Sequence, residues 1–428
     1  MQPYSPERRT ALVLCGTGAH GAYHAGVLRA LQEAGVKIDV MAGHGVGAGA
    51  AVLAAIDGAA RLWDADGLWR GPAVSRLYRW KWSLRIAPWL VALLGIACLL
   101  PFLSPRVGGP PLPVWLPIAA FAALAAVLLS EVVIASRRAV IRRRATGAWW
   151  WRLLGTPLQA NQAHELFARA LADLIPGADA GSVRALGRRY SDVLTESLGQ
   201  PGFRELMIVA TDLDSRRDVL AALLRDPYRR DFLAPRPDRE RRSEVLDLAG
   251  IGRDQVLDLM AGALTPPVVC DPHLLTFSAD SYWRGETHRL CDRPGAVLRL
   301  LDELAAAGVS QAIVVSAVPA PTSPHRLHGS RLDLRHRLGE FLSAAEASSI
   351  RDALEMARLR FDSVYLICPT HNPVGPFDIN GAYDEASDRR QTLVEVMERA
   401  YEDAYHRFIE PVVGASGERL ARAAMRKP

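Results

Sequence analysis

The stretch ALVLCGTGAHGAYHAGVLRALQEAGVKIDVMAGHGVGAGAAVLAAIDG, residues 11–58, decides the fold. Ala11 to Leu14 is a short apolar run closed by Gly16, Gly18 and Gly21, after which Val27, Leu28 and Leu31 fall at helical spacing. Ile38, Val40 and Met41 start a second unit, which turns through Gly43, Gly45, Gly47 and Gly49 into the alanine-rich stretch Ala50 to Ala60. Two adjacent strand-turn-helix units imply a parallel sheet covered by helices. The first turn, G-T-G-A-H-G, also fits the dinucleotide pattern G-x-G-x-x-G. Its acidic ribose partner would be Asp39, which stands at the start of the second strand rather than its end, and a second glycine turn has no counterpart in that motif. The nucleotide reading is therefore set aside.

Working outward, the chain has 428 residues, of which 50% are hydrophobic and 23% charged, enough to bury a large core. Cys15, Cys98, Cys270, Cys291 and Cys368 are odd in number and lack metal-ligand spacing, which excludes a disulfide scaffold or zinc ribbon. Residues 86–103 are uncharged, and 114–135 carry only Glu131. At about 1.5 Å per residue these runs reach roughly 27 Å and 33 Å as helices, the thickness of a bilayer core. With the glycine- and proline-rich turn 104–113 between them, they predict a transmembrane helical hairpin. Arg76, Arg79, Lys81 and Arg85 precede it, and Arg137, Arg138, Arg142, Arg143 and Arg144 follow, so both ends are expected on the cytoplasmic side. Trp80, Trp82, Trp89, Trp115 and Trp149 to Trp151 suit interfacial anchoring, and the polar residues 1–10 do not read as a signal peptide. These nine basic flank residues exceed the whole net charge of +5, so the remainder is net acidic and no nucleic-acid partner is expected.

The glycine loop, the second turn and the flanking Gly21-Ala-Tyr-His-Ala-Gly26 and Ile38-Asp39-Val40 resemble the opening of patatin-like phospholipases. The likeness is strong over residues 11–63 and weaker over about 150–410, through Leu206 to Leu213, Ala263 to Pro272 and Gln311 to Val318. It implies a three-layer α/β fold with a mainly parallel central sheet, here interrupted by the hairpin. It further implies acyl-ester hydrolysis by a Ser-Asp dyad, with the serine in G-x-S-x-G, the aspartate in D-G-G or D-G-A, and an oxyanion loop G-G-G-x-R-G.

Each part is altered in this chain. The elbow reads Gly43-His44-Gly45-Val46-Gly47, so the nucleophile position is Gly45, which has no side chain. The loop reads Gly16-Thr17-Gly18-Ala19-His20-Gly21, with a β-branched residue at 17 and a histidine for the basic residue. No D-G-G or D-G-A follows residue 250, and the corresponding region is placed at 282–294, with Arg284-Gly285-Glu286 or Glu286-Thr287-His288 in register and Glu286 as the candidate dyad residue. Cys15, Thr17 and His44 are the candidate substitute nucleophiles or bases, although Cys15 at a strand end reads better as a buried apolar side chain. His20 and His24 are four apart without a third ligand, so no metal and no cofactor are expected. The arginine-rich 225–242 also holds Asp226, Asp231, Asp238 and Glu240 and reads as a solvated loop rather than a headgroup contact.

The sequence thus predicts residues 1–75 as the first part of the α/β domain, 76–145 as the basic-flanked hairpin with helices at about 86–103 and 114–135, and 146–428 as the remainder. The expected function is that of a two-pass bacterial inner-membrane protein with its α/β domain and both termini cytoplasmic. It would bind a lipid or acyl group, or regulate lipid metabolism, as a pseudoenzyme. The alternative is an active lipid acyl hydrolase or acyltransferase with a different nucleophile.

Overall fold

The computed structural model describes residues 4–103, 115–140, 156–175, 177, 182–235, 241–319, 334–370, 374–384, 387 and 389–415. The turn 104–113, the arginines 142–144 and Trp149 to Trp151 lie outside the described residues. Contacts divide the chain into two units. The first comprises Met1–Tyr78, Ala160–Pro267 and Pro272–Pro428, and the second comprises Arg79–Gln159 and Val268–Asp271.

The strands are β1 (Thr10–Cys15), β2 (Val40–His44), β3 (Arg79–Trp80), β4 (Leu158–Gln159), β5 (Glu205–Asp212), β6 (Arg217–Leu223) and β7 (Ser243–Asp247). They continue with β8 (His273–Thr276), β9 (Thr287–Cys291), β10 (Gln311–Ser316), β11 (Ser363–Ile367), β12 (Ala382–Asp384) and β13 (Arg389–Gln391). In the first unit a sheet runs in the order β11-β10-β1-β2-β5-β6-β7. β11, β10, β1, β2 and β5 are parallel; β6 returns antiparallel to β5, and β9 joins the end of β5 antiparallel, with β8 beside it. This is the mainly parallel sheet that the two glycine-turn units predicted. Both β1 and β2 are buried along their whole length, as strands covered on both faces must be.

One face carries the helices Ala296–Ala306 and Leu334–Ala357, whose Val297, Leu300, Leu304, Ile350 and Ala353 pack on Val13, Ala42, Val209 and Val314. Over the other face lie α2 (Val46–Ala55), against β1, β2 and β5, and the helix Val256–Ala263, against β5. Every residue of α2 is buried, which its Gly and Ala composition permits by letting neighbours approach on all sides. Next to it, α1 (His20–Glu33) packs on the C-terminal helix Leu393–Ala404. Because β1, β2 and β5 are parallel, their carboxyl ends share one rim, the position where open α/β sheets hold ligands.

The second unit contains the antiparallel pair β3 and β4, in which Arg79 faces Gln159, and two helices in mutual contact, α3 (Trp82–Leu103) and α4 (Trp115–Val140). The expected boundary at 145 lies outside the described residues. The predicted helix pair is present, but the transmembrane hairpin is not supported: among the described residues no helix is long and apolar enough to cross a membrane. That expectation rests on run length and lack of charge, and neither measures apolar area. The sequence of α3 includes Ser83, Arg85, Pro88 and Gly95; that of α4 includes Ser130, Glu131, Arg137 and Arg138 and is rich in alanine, which offers far less apolar surface than Leu or Ile.

Candidate active site

β2 ends at His44, and the chain turns through Gly45 into α2. Gly45 has φ 59° and ψ −135°, a backbone state strained for any residue with a side chain and typical of a strand-to-helix nucleophile elbow. The chain therefore has the backbone of an elbow at a residue without a side chain. A Cβ built on Gly45 overlaps the Gly16 carbonyl oxygen and lies 2.8 Å from Asp292 Oδ2. Asp292 is thus the carboxylate that faces the nucleophile position.

This corrects the expectation for Glu286. Glu286 precedes β9, at the end of that strand away from Asp292, and its side chain is 67% exposed. It accepts a 3.2 Å hydrogen bond from His288 Nε2. Asp292 follows β9 directly, and its N–H donates to the Thr265 carbonyl at 2.8 Å. Pairing of Cys291 with Thr211 carries it to the rim of the sheet. A search for D-G-G could not find it, because Arg293 follows it. The usable signal was an aspartate placed between the apolar pair Leu290-Cys291 and a helix start.

Three groups converge on the Asp292 carboxylate. Thr17 Oγ1 donates to Oδ2 at 2.5 Å, the Arg293 N–H donates to Oδ1 at 2.8 Å, and His44 Nδ1 lies 3.3 Å from Oδ1. Thr17, His44 and Asp292 are all buried. Burial opposes a charge on His44, but the hydrogen bond it donates to Asp292, together with the charge of that carboxylate, outweighs burial and holds the imidazole pKa well above its ordinary value. His44 and Asp292 thus form a buried ion pair, while His44 Nε2 has no hydrogen-bond partner among the described residues. Burial raises the Cys15 thiol, against the pull of His44, so it is not a thiolate poised for attack. Glu346, on the helix Leu334–Ala357, stands in the same field; burial pushes its carboxyl up to about 7.

The glycine loop is closed on itself. The Val46 N–H, an oxyanion donor in a working elbow, donates to the Gly16 carbonyl at 2.8 Å. The Thr17 N–H donates to His20 Nδ1 at 3.1 Å, and the Ala19 N–H to the Pro376 carbonyl at 2.8 Å. His20 Nε2 donates to the Val374 carbonyl at 2.7 Å, and burial brings its pKa down to about 4. His24 Nε2 donates to the Cys15 carbonyl at 2.9 Å, and its pKa falls to about 3 for the same reason. The two histidines serve different carbonyls and share no ligand position. Gly43 and Gly47 lie where the elbow folds back on itself and on β1, and Gly21 fits under the Trp69 ring. Among the described residues no group of three His, Cys, Asp or Glu side chains could hold a metal ion.

Eighty-five residues are 36% identical to neuropathy target esterase sws of Drosophila sechellia, covering 20% of this chain and 5% of that protein. The chain therefore spans a small fraction of that relative. Among solved structures, VipD from Legionella pneumophila matches 94% of this chain and 67% of its own, with 13% identity and a TM-score of 0.32. The type III effector ExoU matches 99% and 63%, with 15% identity and a TM-score of 0.27. The profile described as patatin-like phospholipase matches residues 12–387, nearly the whole chain, and the protein belongs to the patatin-like phospholipase family.

Proposed function

We propose that this protein has lost serine lipid acyl hydrolase activity and acts in lipid metabolism as a lipid-binding or regulatory pseudoenzyme. One observation carries the reading: the elbow holds Gly45, and the space a serine side chain would need is taken by the Gly16 carbonyl and Asp292. The family mechanism needs a nucleophile, a base in reach and free oxyanion donors. Here the nucleophile is missing, the carboxylate is engaged by Thr17 and His44, and the Val46 N–H is already bonded. The test is a fluorophosphonate probe and a short-chain aryl ester on the purified protein, with mass spectrometry of lipids that co-purify. Probe labelling that is lost on mutation of the site would overturn the reading.

A second reading, an active hydrolase, is favoured by one contact. Thr17 Oγ1 hydrogen-bonds Asp292 as a dyad hydroxyl would, so Thr17 is the nucleophile it requires. It expects ester turnover that Thr17→Val abolishes and Thr17→Ser keeps.

Contact with a lipid surface, rather than passage through it, is the partner we propose for the second unit. Trp89 is 77% exposed, and Ile96 and Leu99 on α3 and Phe121 and Leu129 on α4 are also largely exposed. Arg85 lies exposed on α3 beside them, which suits an anionic surface. Flotation with vesicles of phosphatidylcholine and phosphatidylglycerol tests this, with Trp89→Asp/Phe121→Asp expected to remain unbound.

A further inference from the structure

Beside the elbow, on the same rim of the sheet, an open cleft of about 670 Å³ is lined by Arg216, Arg217, Arg241, Arg242, Arg293 and Arg299. Among the described residues, the carboxylates in its lining are Asp212 and Asp218. Both are already compensated. Asp218 is held by Arg293 at 2.7 Å and lies 3.6 Å from Arg299, while Asp212 accepts from His288, from Ser215 Oγ and from the Asp214 N–H. Glu303, behind the wall, fixes Arg241 at 2.8 Å, Asp302 fixes Arg299 at 3.2 Å, and Glu244 stands near Arg217 and Arg241. These carboxylates orient the guanidinium arms from outside the lining. Arg216, at the tip of the β5–β6 hairpin, and Arg242, before β7, are exposed and make no hydrogen bond or ion pair among the described residues.

A guanidinium held by a carboxylate on one edge presents its other N–H groups in a fixed fork, the geometry that binds phosphate oxygens in pairs. The two exposed arginines at the mouth add free N–H groups to those that the fixed ones present. The arginine-rich stretch 225–242 is divided by the fold. Arg225 and Arg229 are spent on Glu205 and Asp247, whereas Arg241, while bonded to Glu303 and the Phe232 carbonyl, lines the cleft and Arg242 opens to it. Its volume exceeds what bare phosphate needs and matches a phosphorylated small molecule or headgroup.

We propose that this cleft is an anion site for a phosphate monoester, carried either by a soluble small molecule or by a lipid headgroup. It does not depend on whether the elbow is inert. The test measures binding of inorganic pyrophosphate by calorimetry, and of phosphatidylcholine vesicles with and without phosphatidic acid by sedimentation, using the full chain. Arg216→Ala/Arg242→Ala is compared with Arg188→Ala/Arg189→Ala, exposed arginines on the helix Val183–Ser197. The cleft variant should lose about tenfold or more in affinity at unchanged melting temperature, with the control as wild type. Arg242→Glu should lose more. Binding of pyrophosphate marks a soluble ligand; binding of phosphatidic acid vesicles alone marks a headgroup. The proposal is overturned if neither probe binds, or if both double variants lose affinity equally, which is the behaviour of a diffuse basic surface.

Discussion

Thr17 Oγ1 and Asp292 Oδ2 are joined by a 2.5 Å hydrogen bond across 275 positions of sequence, at the place where the family brings an elbow serine to its aspartate. The hydroxyl comes from the glycine loop instead of the elbow. In the same place the Gly16 carbonyl is bonded to the Val46 N–H, so the hydroxyl, the carboxylate and the loop form one bonded set.

Gly45→Ser should therefore remain without esterase activity. Its Cβ would overlap the Gly16 carbonyl, and Thr17 would still hold the oxygen of Asp292 that a serine needs. The overlap adds a cost of about 1–3 kcal/mol, seen as a lower melting temperature. Appearance of aryl-ester turnover in this single variant would show that only the nucleophile had been lost.

Asp292→Ala should destabilise the fold by about 3–5 kcal/mol, because it leaves the buried His44 cation without its partner. Asp292→Asn should cost less, since an amide oxygen can still accept from Thr17. Chemical denaturation of the three proteins checks the order. A neutral effect of Asp292→Ala would contradict a buried ion pair.

Acid should weaken the protein through buried histidines. His20 and His24 fall to about 4 and 3 in the fold, and His164 is lowered by burial to about 3. Unfolded, each titrates near about 6.5. The unfolded chain then binds more protons, so stability present above that value is lost as pH falls through it toward the folded values. Glu346, raised to about 7, acts oppositely and stabilises as pH falls toward the ordinary carboxylate range. Glu205, Glu244 and Asp403 are raised by burial as well and act with Glu346, but the three histidines, fully or nearly buried, set the sign. Melting temperature should drop between pH 6.5 and 4, with a shallower slope in His24→Gln and a steeper one in Glu346→Gln.

Cys15, Cys270, Cys291 and Cys368 are buried, and burial raises the first three thiols, Cys291 to about 12. In the native protein at neutral pH none of the four should react with iodoacetamide within the time that denatured protein is fully alkylated. Rapid native labelling of Cys15, read by peptide mass spectrometry, would restore it as a candidate nucleophile.

Gly26→Ala tests the contact of α1 with the C-terminal helix. A Cβ there overlaps the Met397 carbonyl, a backbone atom that cannot turn aside. A loss of about 1–3 kcal/mol or more is expected, against no effect for Gly35→Asn, where the surroundings are open and asparagine tolerates the positive φ.

The sequence alone determined the two strand-turn-helix units, the parallel sheet and the empty nucleophile position, because glycine spacing and apolar runs are local signals. It also placed a helix pair at about 86–103 and 114–135, where the structure has 82–103 and 115–140, but the membrane-spanning reading of that pair is not supported. Only the tertiary structure decided which carboxylate faces Gly45. Asp292 reaches the elbow through the pairing of β9 with β5, and sequence spacing carries no trace of that pairing. The closure of the glycine loop by Val374 and Pro376 and the gathering of six arginines in one cleft are likewise tertiary. They bring residues together from segments far apart in the chain, and each contact depends on a hydrogen bond or ion pair that exists only once the sheet has formed.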